Sequence, residues 1–229
     1  MLFRSCGNGR VTLVYAFAES CNTPFAQLAM DVGDEALADE ASRWGFGSDL
    51  SIPLPVSRSV YPANDGPAQT AMAGIGQQSV RTTPLMMAMV TATVANDGEQ
   101  MTPYLISQTL DADLQVVSTT KPTVARTPID SDTAAALTGL MQQAVSSGTG
   151  TSAQVAGVLV AGKTGIAQTG SDDGGPITWF IGFAGTDINN PTIAIAVVLD
   201  GGEQIPTTGT GGSVAGPIAA SVIDAAVDQ

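Results

Sequence analysis

Positions 157 to 165 of the chain read Gly157-Val158-Leu159-Val160-Ala161-Gly162-Lys163-Thr164-Gly165. This stretch matches every fixed position of the phosphate-binding loop pattern G-x-x-x-x-G-K-S/T. A phosphate loop, however, needs irregular backbone in its four middle positions and a helix that begins directly after the lysine. Here residues 158–161 are apolar and favour a strand, and the twelve residues after Thr164 contain four glycines and a proline. Because glycine and proline oppose a helix, the stretch is predicted to be a β-strand, and nucleotide binding is rejected.

The strand is predicted to lie at the edge of a sheet, where a second backbone can pair with it. Gly162 and Gly165 are expected to leave room for that backbone. Lys163 brings one of only two lysines in the chain, and the Thr164 hydroxyl can hydrogen-bond a carboxylate or a neighbouring catalytic group. On this motif alone, a lysine that serves only solubility at a strand end stays an open alternative.

Composition and charge narrow the possible functions. A chain of 229 residues with 44% apolar residues suits one large domain. The net charge of -13 excludes binding to nucleic acid or to anionic lipid, because no electropositive face is available. Histidine is absent, which removes Ser-His and Cys-His pairs and the commonest metal ligand. We therefore expect proton transfer through lysine or carboxylates, with no metal and no cofactor.

Two cysteines and a short apolar run leave alternatives open near the N-terminus. Cys6 and Cys21 are too few for a closed metal site, and they could form a disulfide or remain as buried thiols. The basic and apolar residues of segment 4–18 resemble a secretory signal. A helix that leads into an active-site loop is the preferred interpretation, because a turn at residues 6–9 interrupts the charged part.

Hydrophobic periodicity predicts the order of the elements. Helices are expected at Val11–Ser20, Thr23–Val32, Asp34–Trp44, Leu85–Ala95, Asp130–Ser146 and Ala215–Val227. A long connection rich in Pro, Ser and Gly runs to about Ile75, and a hairpin joins Tyr104–Leu110 to Leu114–Thr119. Strands are expected at Val155–Lys163, Thr178–Gly185 and Thr192–Leu199, with short connections that imply antiparallel pairing. The predicted class is α+β, with one domain that is helix-rich over about 1–150 and sheet-rich over about 151–229.

A second motif precedes the strand. Ser20-Cys21-Asn22 lies between the first two predicted helices, and the order S-x-N followed by K-T-G resembles penicillin-binding proteins and serine β-lactamases. Further stretches are similar to class B penicillin-binding transpeptidases, and most similar to actinobacterial cell-division enzymes. These stretches are Ser20–Ala29, Gly74-Ile75-Gly76-Gln77 with Thr83-Pro84-Leu85, Ala95–Gly98, Gly148-Thr149-Gly150, and Ala161–Gly165 with Ala167-Gln168.

The resemblance implies a fold and an activity. The fold would be an antiparallel sheet with flanking helices plus a mostly helical subdomain. The activity would be that of a D,D-transpeptidase, which cross-links peptidoglycan stem peptides ending in D-Ala-D-Ala and is acylated by β-lactams. It implies a location on the outer face of the cytoplasmic membrane of an actinobacterial cell envelope. Cell-division or cell-wall proteins would be partners.

The resemblance also assigns roles to catalytic residues. Ser20 would relay a proton to the leaving amine, and Asn22 would hold the amide on the acyl side of the substrate. Lys163 would attract the substrate carboxylate and favour the unprotonated form of a neighbouring base.

Three further residues would bind substrate. Thr164 would orient the catalytic groups, and Gly165 would lie beside the bound peptide. The backbone N–H of Ile166 would be half of an oxyanion hole, a donor whose loss typically costs about 100- to 1,000-fold in rate.

Two departures from the family pattern affect these expectations. The family usually has Thr or Ser at the position of Ile166, so binding of the terminal carboxylate is expected to be weaker. The family's nucleophile comes from an S-x-x-K motif before S-x-N, and none precedes Ser20. The one literal match, Ser118-Thr119-Thr120-Lys121, is in a β-branched segment before Pro122 and is interpreted as chance.

The chain is therefore expected to lack the N-terminal part of its domain, to be inactive alone, and to resist covalent labelling by penicillin. A relative of the serine β-lactamases is one alternative. A non-catalytic peptidoglycan-binding or scaffold domain that uses the same groove is the other.

Overall fold

The computed structural model describes residues 6, 10–50, 52–64, 66–168, 175–201 and 208–227. Among them, no helix is both long enough and apolar enough to cross a membrane. The first half of the chain is mainly helical and contains α1 (Leu13–Ala18), α2 (Asn22–Val32), α3 (Asp34–Arg43), α4 (Pro67–Ala73) and α5 (Pro84–Ala95).

Short strands follow, and then the main sheet. The short strands are β1 (Gln100–Met101), β2 (Gln108–Leu110), β3 (Val116–Thr119) and β4 (Val124–Arg126). The elements after them are α6 (Ser131–Ser146), β5 (Leu159–Ala167), β6 (Ile177–Gly185), β7 (Ile193–Leu199) and α7 (Gly216–Val227). A 3₁₀ turn at Thr151–Ala153 precedes β5, and a π-helical turn at Gly211–Ala215 leads into α7.

The main sheet is antiparallel in the order β5-β6-β7, so β5 lies at its edge. On one face Phe180 packs with Ala219 and Ile223 of α7. On the other face Phe183 packs with Val94 of α5 and Met141 of α6. Phe180 and Phe183 are fully buried, and each contributes about 1.5–3 kcal/mol through burial. The predicted α+β class and the predicted antiparallel sheet are confirmed.

Cap chemistry explains two of the helix starts. The Thr83 side chain accepts a hydrogen bond from the Met86 N–H, and Pro84 occupies the first turn of α5. The Asp130 carboxylate accepts from the Thr133 N–H at 2.8 Å and begins α6. The hydroxyl and the N–H of Thr133 hold the pKa of Asp130 below its usual value.

Helix α3 begins at Asp34 without a side-chain cap. Gly33 occupies the cap position with a φ of 89°, a conformation that glycine adopts without strain. The Asp34 carboxylate instead accepts hydrogen bonds from the Tyr61 hydroxyl and the Asn64 N–H, at 3.3 and 3.2 Å. Burial, and then the negative charge of Asp34, raise the pKa of Tyr61. Asp34 therefore ties the following connection to α3.

Helix α4 lies within the connection rich in Pro, Ser and Gly that runs to about Ile75, where the sequence predicted no helix. Pro67 in the first turn after Gly66 was the available signal for a helix start. The helix packs against α2, and the contact is so close that a Cβ on Gly74 would clash with the Ala29 side chain. The small residues at this crossing bring α4 next to the helix that begins at Asn22.

Strand β5 begins and ends four residues later than predicted. Gly157, with a φ of 78°, makes a turn where the strand was expected to have started. The strand then continues past Lys163 to Ala167, because each of its residues pairs with β6. The residues directly after Lys163 continue the strand and do not begin a helix, so the phosphate-loop match is accidental. The hairpin formed by β2 and β3 is also shorter than predicted, and its strands are exposed.

Candidate active site

The S-x-N segment (residues 20–22) joins α1 to α2. The Ser20 N–H donates to the Phe17 carbonyl at 3.2 Å, and the Cys21 N–H donates to the Ala16 carbonyl at 2.9 Å. These bonds turn the chain sharply after α1, and Ser20 has a φ of 55°, in the left-handed region that non-glycine residues seldom adopt. A disulfide joins the buried Cys21 to Cys6, which resolves the alternative left open by the sequence. Asn22 is the first residue of α2 and is half-buried.

Lys163 connects the sheet to this segment. Its Nζ donates to Ser20 Oγ at 2.7 Å and to the Thr164 carbonyl at 2.9 Å, and it lies 5.8 Å from the centre of the Phe17 ring. An ammonium group can only donate, so the Ser20 hydroxyl accepts in this contact and keeps its own proton for another partner. The structure thus brings together two residues that are 143 positions apart in the sequence.

The backbone of β5 presents the other groups of the site. The carbonyl of Ile166 accepts a hydrogen bond from the Gln77 side chain at 2.9 Å, and the Thr164 carbonyl accepts from Lys163. The N–H and C=O groups of one strand residue point to the same edge of the strand, and those of the next residue point to the opposite edge. Thr164 and Ile166 are two positions apart, so both direct these groups away from β6. The Ile166 N–H therefore faces the outer edge of β5, which is the orientation that an oxyanion donor needs. The Ile166 side chain is 42% exposed.

Thr149 links the two motifs, and sequence reasoning assigned it no role. Its N–H donates to the Ala18 carbonyl at 3.0 Å, two residues before Ser20. Its hydroxyl lies 2.6 Å from the Thr164 hydroxyl, which is itself buried. Gly148 allows this approach, because a Cβ there would clash with the Ala18 carbonyl. The family-like stretch Gly148-Thr149-Gly150 is the sequence signal for this role.

Gly162, directly before the lysine, serves a different purpose from the one predicted. The Phe180 ring covers Gly162, and a Cβ there would clash with that ring. The backbone of Gly211 passes close to Gly165 and Trp179, so that a Cβ on Gly211 would lie 2.8 Å from the Gly165 oxygen. The space at Gly162 is therefore used by the protein's own core, whereas a Cβ on Gly165 would come no closer than 3.2 Å to the Trp179 side chain.

The literal S-x-x-K match lies elsewhere. Ser118 is in β3 and its hydroxyl lies 2.6 Å from that of Thr109 across the exposed hairpin. A strand turns successive side chains to opposite faces, so the helical alignment of the serine with Lys121 is absent from this described hairpin.

The contact between Lys163 of the K-T-G strand and Ser20 of the S-x-N segment has the arrangement that the resemblance to penicillin-binding transpeptidases implies. The sequence matches the family described as penicillin binding protein transpeptidase domain over residues 3–224. The peptidoglycan D,D-transpeptidase PbpA of Mycolicibacterium smegmatis is 40% identical, over 98% of this chain and 46% of that protein. The chain belongs to the penicillin-binding protein transpeptidase family.

Solved structures agree with the sequence comparison. The crystal structure of PBPA from Mycobacterium tuberculosis has a TM-score of 0.88 at 37% identity, covering 96% of this chain and 53% of that one. The penicillin G acyl-enzyme complex of M. tuberculosis penicillin-binding protein A has a TM-score of 0.86 at 38% identity, covering 96% and 50%. The predicted resemblance to actinobacterial penicillin-binding transpeptidases is confirmed. The chain spans about half the length of these relatives.

Proposed function

We propose that this chain forms the peptide-binding part of a peptidoglycan D,D-transpeptidase that cross-links stem peptides ending in D-Ala-D-Ala and binds β-lactams. The observation that carries the proposal is the 2.7 Å contact between Lys163 Nζ and Ser20 Oγ. It assembles the S-x-N and K-T-G motifs beside the open edge of β5, where a peptide can add as a further strand.

Lys163 and Ser20 carry the proposed proton transfer. The ammonium group attracts the C-terminal carboxylate of the peptide and stabilises the deprotonated form of a neighbouring base. Because Lys163 already donates to Ser20 Oγ, the serine hydroxyl can pass its proton to the departing amine and recover one from the base. Thr164 supports this arrangement through its buried bond to Thr149, which holds β5 against the end of α1.

Asn22 and the backbone of β5 hold the acyl side of the peptide. Asn22 lies at the start of α2, where its amide can bond the acyl-side amide of the substrate. The outward N–H of Ile166 supplies half of an oxyanion hole, and Gly165 lies beside the peptide. Ile166 offers no hydroxyl to the terminal carboxylate, so Lys163 carries most of that attraction. The peptide carboxylate is consequently expected to bind less tightly than in relatives with Thr or Ser here.

No S-x-x-K motif precedes Ser20, so the proposal assigns the nucleophile to none of the residues of this chain. The proposed location is the outer face of the cytoplasmic membrane, and the Cys6–Cys21 disulfide supports an oxidising compartment. Cell-division and cell-wall proteins are the proposed partners of the whole protein.

Two measurements on the purified chain test the proposal. Calorimetric titration with N-acetyl-D-alanyl-D-alanine should show reversible binding, which Lys163→Met weakens about tenfold or more because a charge-assisted bond to the carboxylate is lost. Lys121→Met is the matched control, since it removes the chain's other lysine from the exposed region after β3, and it should change nothing. Incubation with fluorescent penicillin should leave the intact mass unaltered.

The two measurements test peptide binding and the absence of a nucleophile separately. Failure of the chain to bind the dipeptide, or equal effects of the two lysine variants, would contradict a peptide-binding edge at β5. A serine-linked acyl mass would show instead that the chain contains its own nucleophile.

A further inference from the structure

Phe17 lies near the end of α1, where it contacts both members of the pair formed by Lys163 and Ser20. Its carbonyl accepts a hydrogen bond from the Ser20 N–H at 3.2 Å, which helps to turn the chain into the S-x-N segment. Lys163 Nζ lies 5.8 Å from the centre of its ring. The backbone of one residue thus directs the serine, and its side chain faces the ammonium group that donates to that serine.

Packing fixes the orientation of the Phe17 ring. The ring meets the Phe25 ring of α2 edge to face, with centroids 6.4 Å apart and an interplanar angle of 70°. The Phe17 side chain is half-buried and packs against the core cluster that contains Ala161 and Phe183. Ala161 lies on the same face of β5 as Lys163, because side chains two positions apart on a strand share a face. A ring held between α2 and β5 presents a constant surface to the lysine.

The lysine side chain depends on such a surface for its position. A long, flexible stem separates Nζ from the backbone of β5, and ordering it costs side-chain entropy. Along the strand, the neighbours of Lys163 on its own face are Ala161 and Gly165, which give the stem little to pack against. The negative face of an aromatic ring attracts an ammonium group that lies within about 6 Å of its centre. The Phe17 ring therefore attracts the charged end of a side chain that its own strand does little to hold.

We propose that Phe17 is a positioning residue, which holds the Lys163 ammonium group against Ser20 Oγ through the face of its ring. The ring touches no substrate and acts through the lysine. Its effect on peptide binding rests on the proposed function, because the lysine that it positions is the group that attracts the peptide carboxylate. Its effect on the order of the lysine side chain does not, and that effect is measured in the unliganded chain.

Two replacements of Phe17 test the inference by different routes. Trifluorophenylalanine keeps the shape and the apolar character of the ring but removes most of the negative charge of its face, whereas Phe17→Leu removes the ring. The order parameter of the Lys163 ammonium group, measured by NMR relaxation in the unliganded chain, should fall in both variants because the attraction to the ring is weakened or lost. The affinity for N-acetyl-D-alanyl-D-alanine should fall about two- to fivefold in both.

Phe46→Leu is the matched control. It removes another half-buried phenylalanine, which follows α3, and should leave the order parameter and the affinity at their wild-type values. A wild-type order parameter in the trifluorinated chain would mean that the Phe17 ring only fills space, and it would overturn the inference even if Phe17→Leu failed to fold. Equal losses in Phe46→Leu would overturn it as well.

The two measurements keep the inference and the proposed function apart. If the order parameter falls as expected and the wild-type chain binds no dipeptide, the proposed function fails and the position of Lys163 still depends on Phe17. If the wild-type chain binds the dipeptide and the order parameter does not move, the inference fails and the proposed function stands. A lower order parameter with undiminished dipeptide affinity would contradict the part of the inference that concerns peptide binding.

Discussion

The S-x-N segment and strand β5 face each other across the candidate site, and they are held in place by different means. Every residue of β5 from Leu159 to Ala167 pairs with β6, and the buried Phe180 packs beneath it. The S-x-N segment follows a helix of six residues, α1, whose side chains at Leu13 and Tyr15 are 57% and 50% exposed. Regular strand pairing and a buried aromatic core thus fix β5, whereas the S-x-N segment has little buried apolar surface of its own.

Three separate links, which we call ties, hold the S-x-N segment in place instead. They are the Cys6–Cys21 disulfide, the bond from the Thr149 N–H to the Ala18 carbonyl, and the contact between Lys163 and Ser20. They hold Ser20 in a left-handed backbone conformation that costs on the order of 1–3 kcal/mol and persists only when its surroundings enforce it. Damage to the sheet should therefore act on the whole fold, whereas loss of a tie should act first on the position of Ser20.

The largest expected effect comes from the sheet side. Phe180→Ala removes a fully buried ring from the core shared with α7 and leaves a cavity, so the free energy of unfolding should fall by about 3–5 kcal/mol. Denaturant titration measures this loss, and hydrogen exchange should speed up across all three strands together. Tyr104→Ala, an exposed aromatic residue, is the control and should have little effect. Faster exchange confined to the S-x-N segment would contradict the comparison.

The next effect concerns the disulfide. Cys6→Ser opens a link between residues 15 positions apart, which chain-entropy arguments value at about 3 kcal/mol. Cys6 is the end to change, because Cys21 is buried and is tolerated there as a small apolar side chain. The melting temperature should fall by about 6–12 °C, and exchange of the Ser20 and Cys21 amides should rise more than that of β5. Reduced wild-type protein should behave like the variant, and an unchanged melting temperature would show that the disulfide does not constrain the chain.

The sequence predicted the sheet better than the site, for physical reasons. Local patterns, such as the apolar runs of β6 and β7 and the cap at Thr83, act over a few residues and can be read directly. The S-x-N and K-T-G motifs could be paired because the resemblance linked them, and the contact between Lys163 and Ser20 agrees with that pairing. The roles of Thr149 and Phe17 depend on packing between distant segments, and no local periodicity encodes it. The role of Gly162 also depends on such packing, because the Phe180 ring of the neighbouring strand fills the space beside it.

The smallest expected effect tests whether Thr149 joins the two sides. Thr149→Val keeps the bond from the residue 149 N–H to the Ala18 carbonyl but removes the hydroxyl, which lies 2.6 Å from that of Thr164 and also donates to the Ala18 carbonyl at 3.4 Å. One buried hydroxyl then lacks its partner, so the free energy of unfolding should fall by about 1 kcal/mol. Thr151→Val, at an exposed position nearby, is the matched control. In a double-mutant cycle with Thr164→Val, the two losses should be less than additive by at least about 0.5 kcal/mol, because the second substitution removes a group that is already unpaired. Additive losses would mean that Thr149 supports α1 and β5 independently, and the S-x-N segment would then depend on Lys163 and the disulfide for its alignment with the strand.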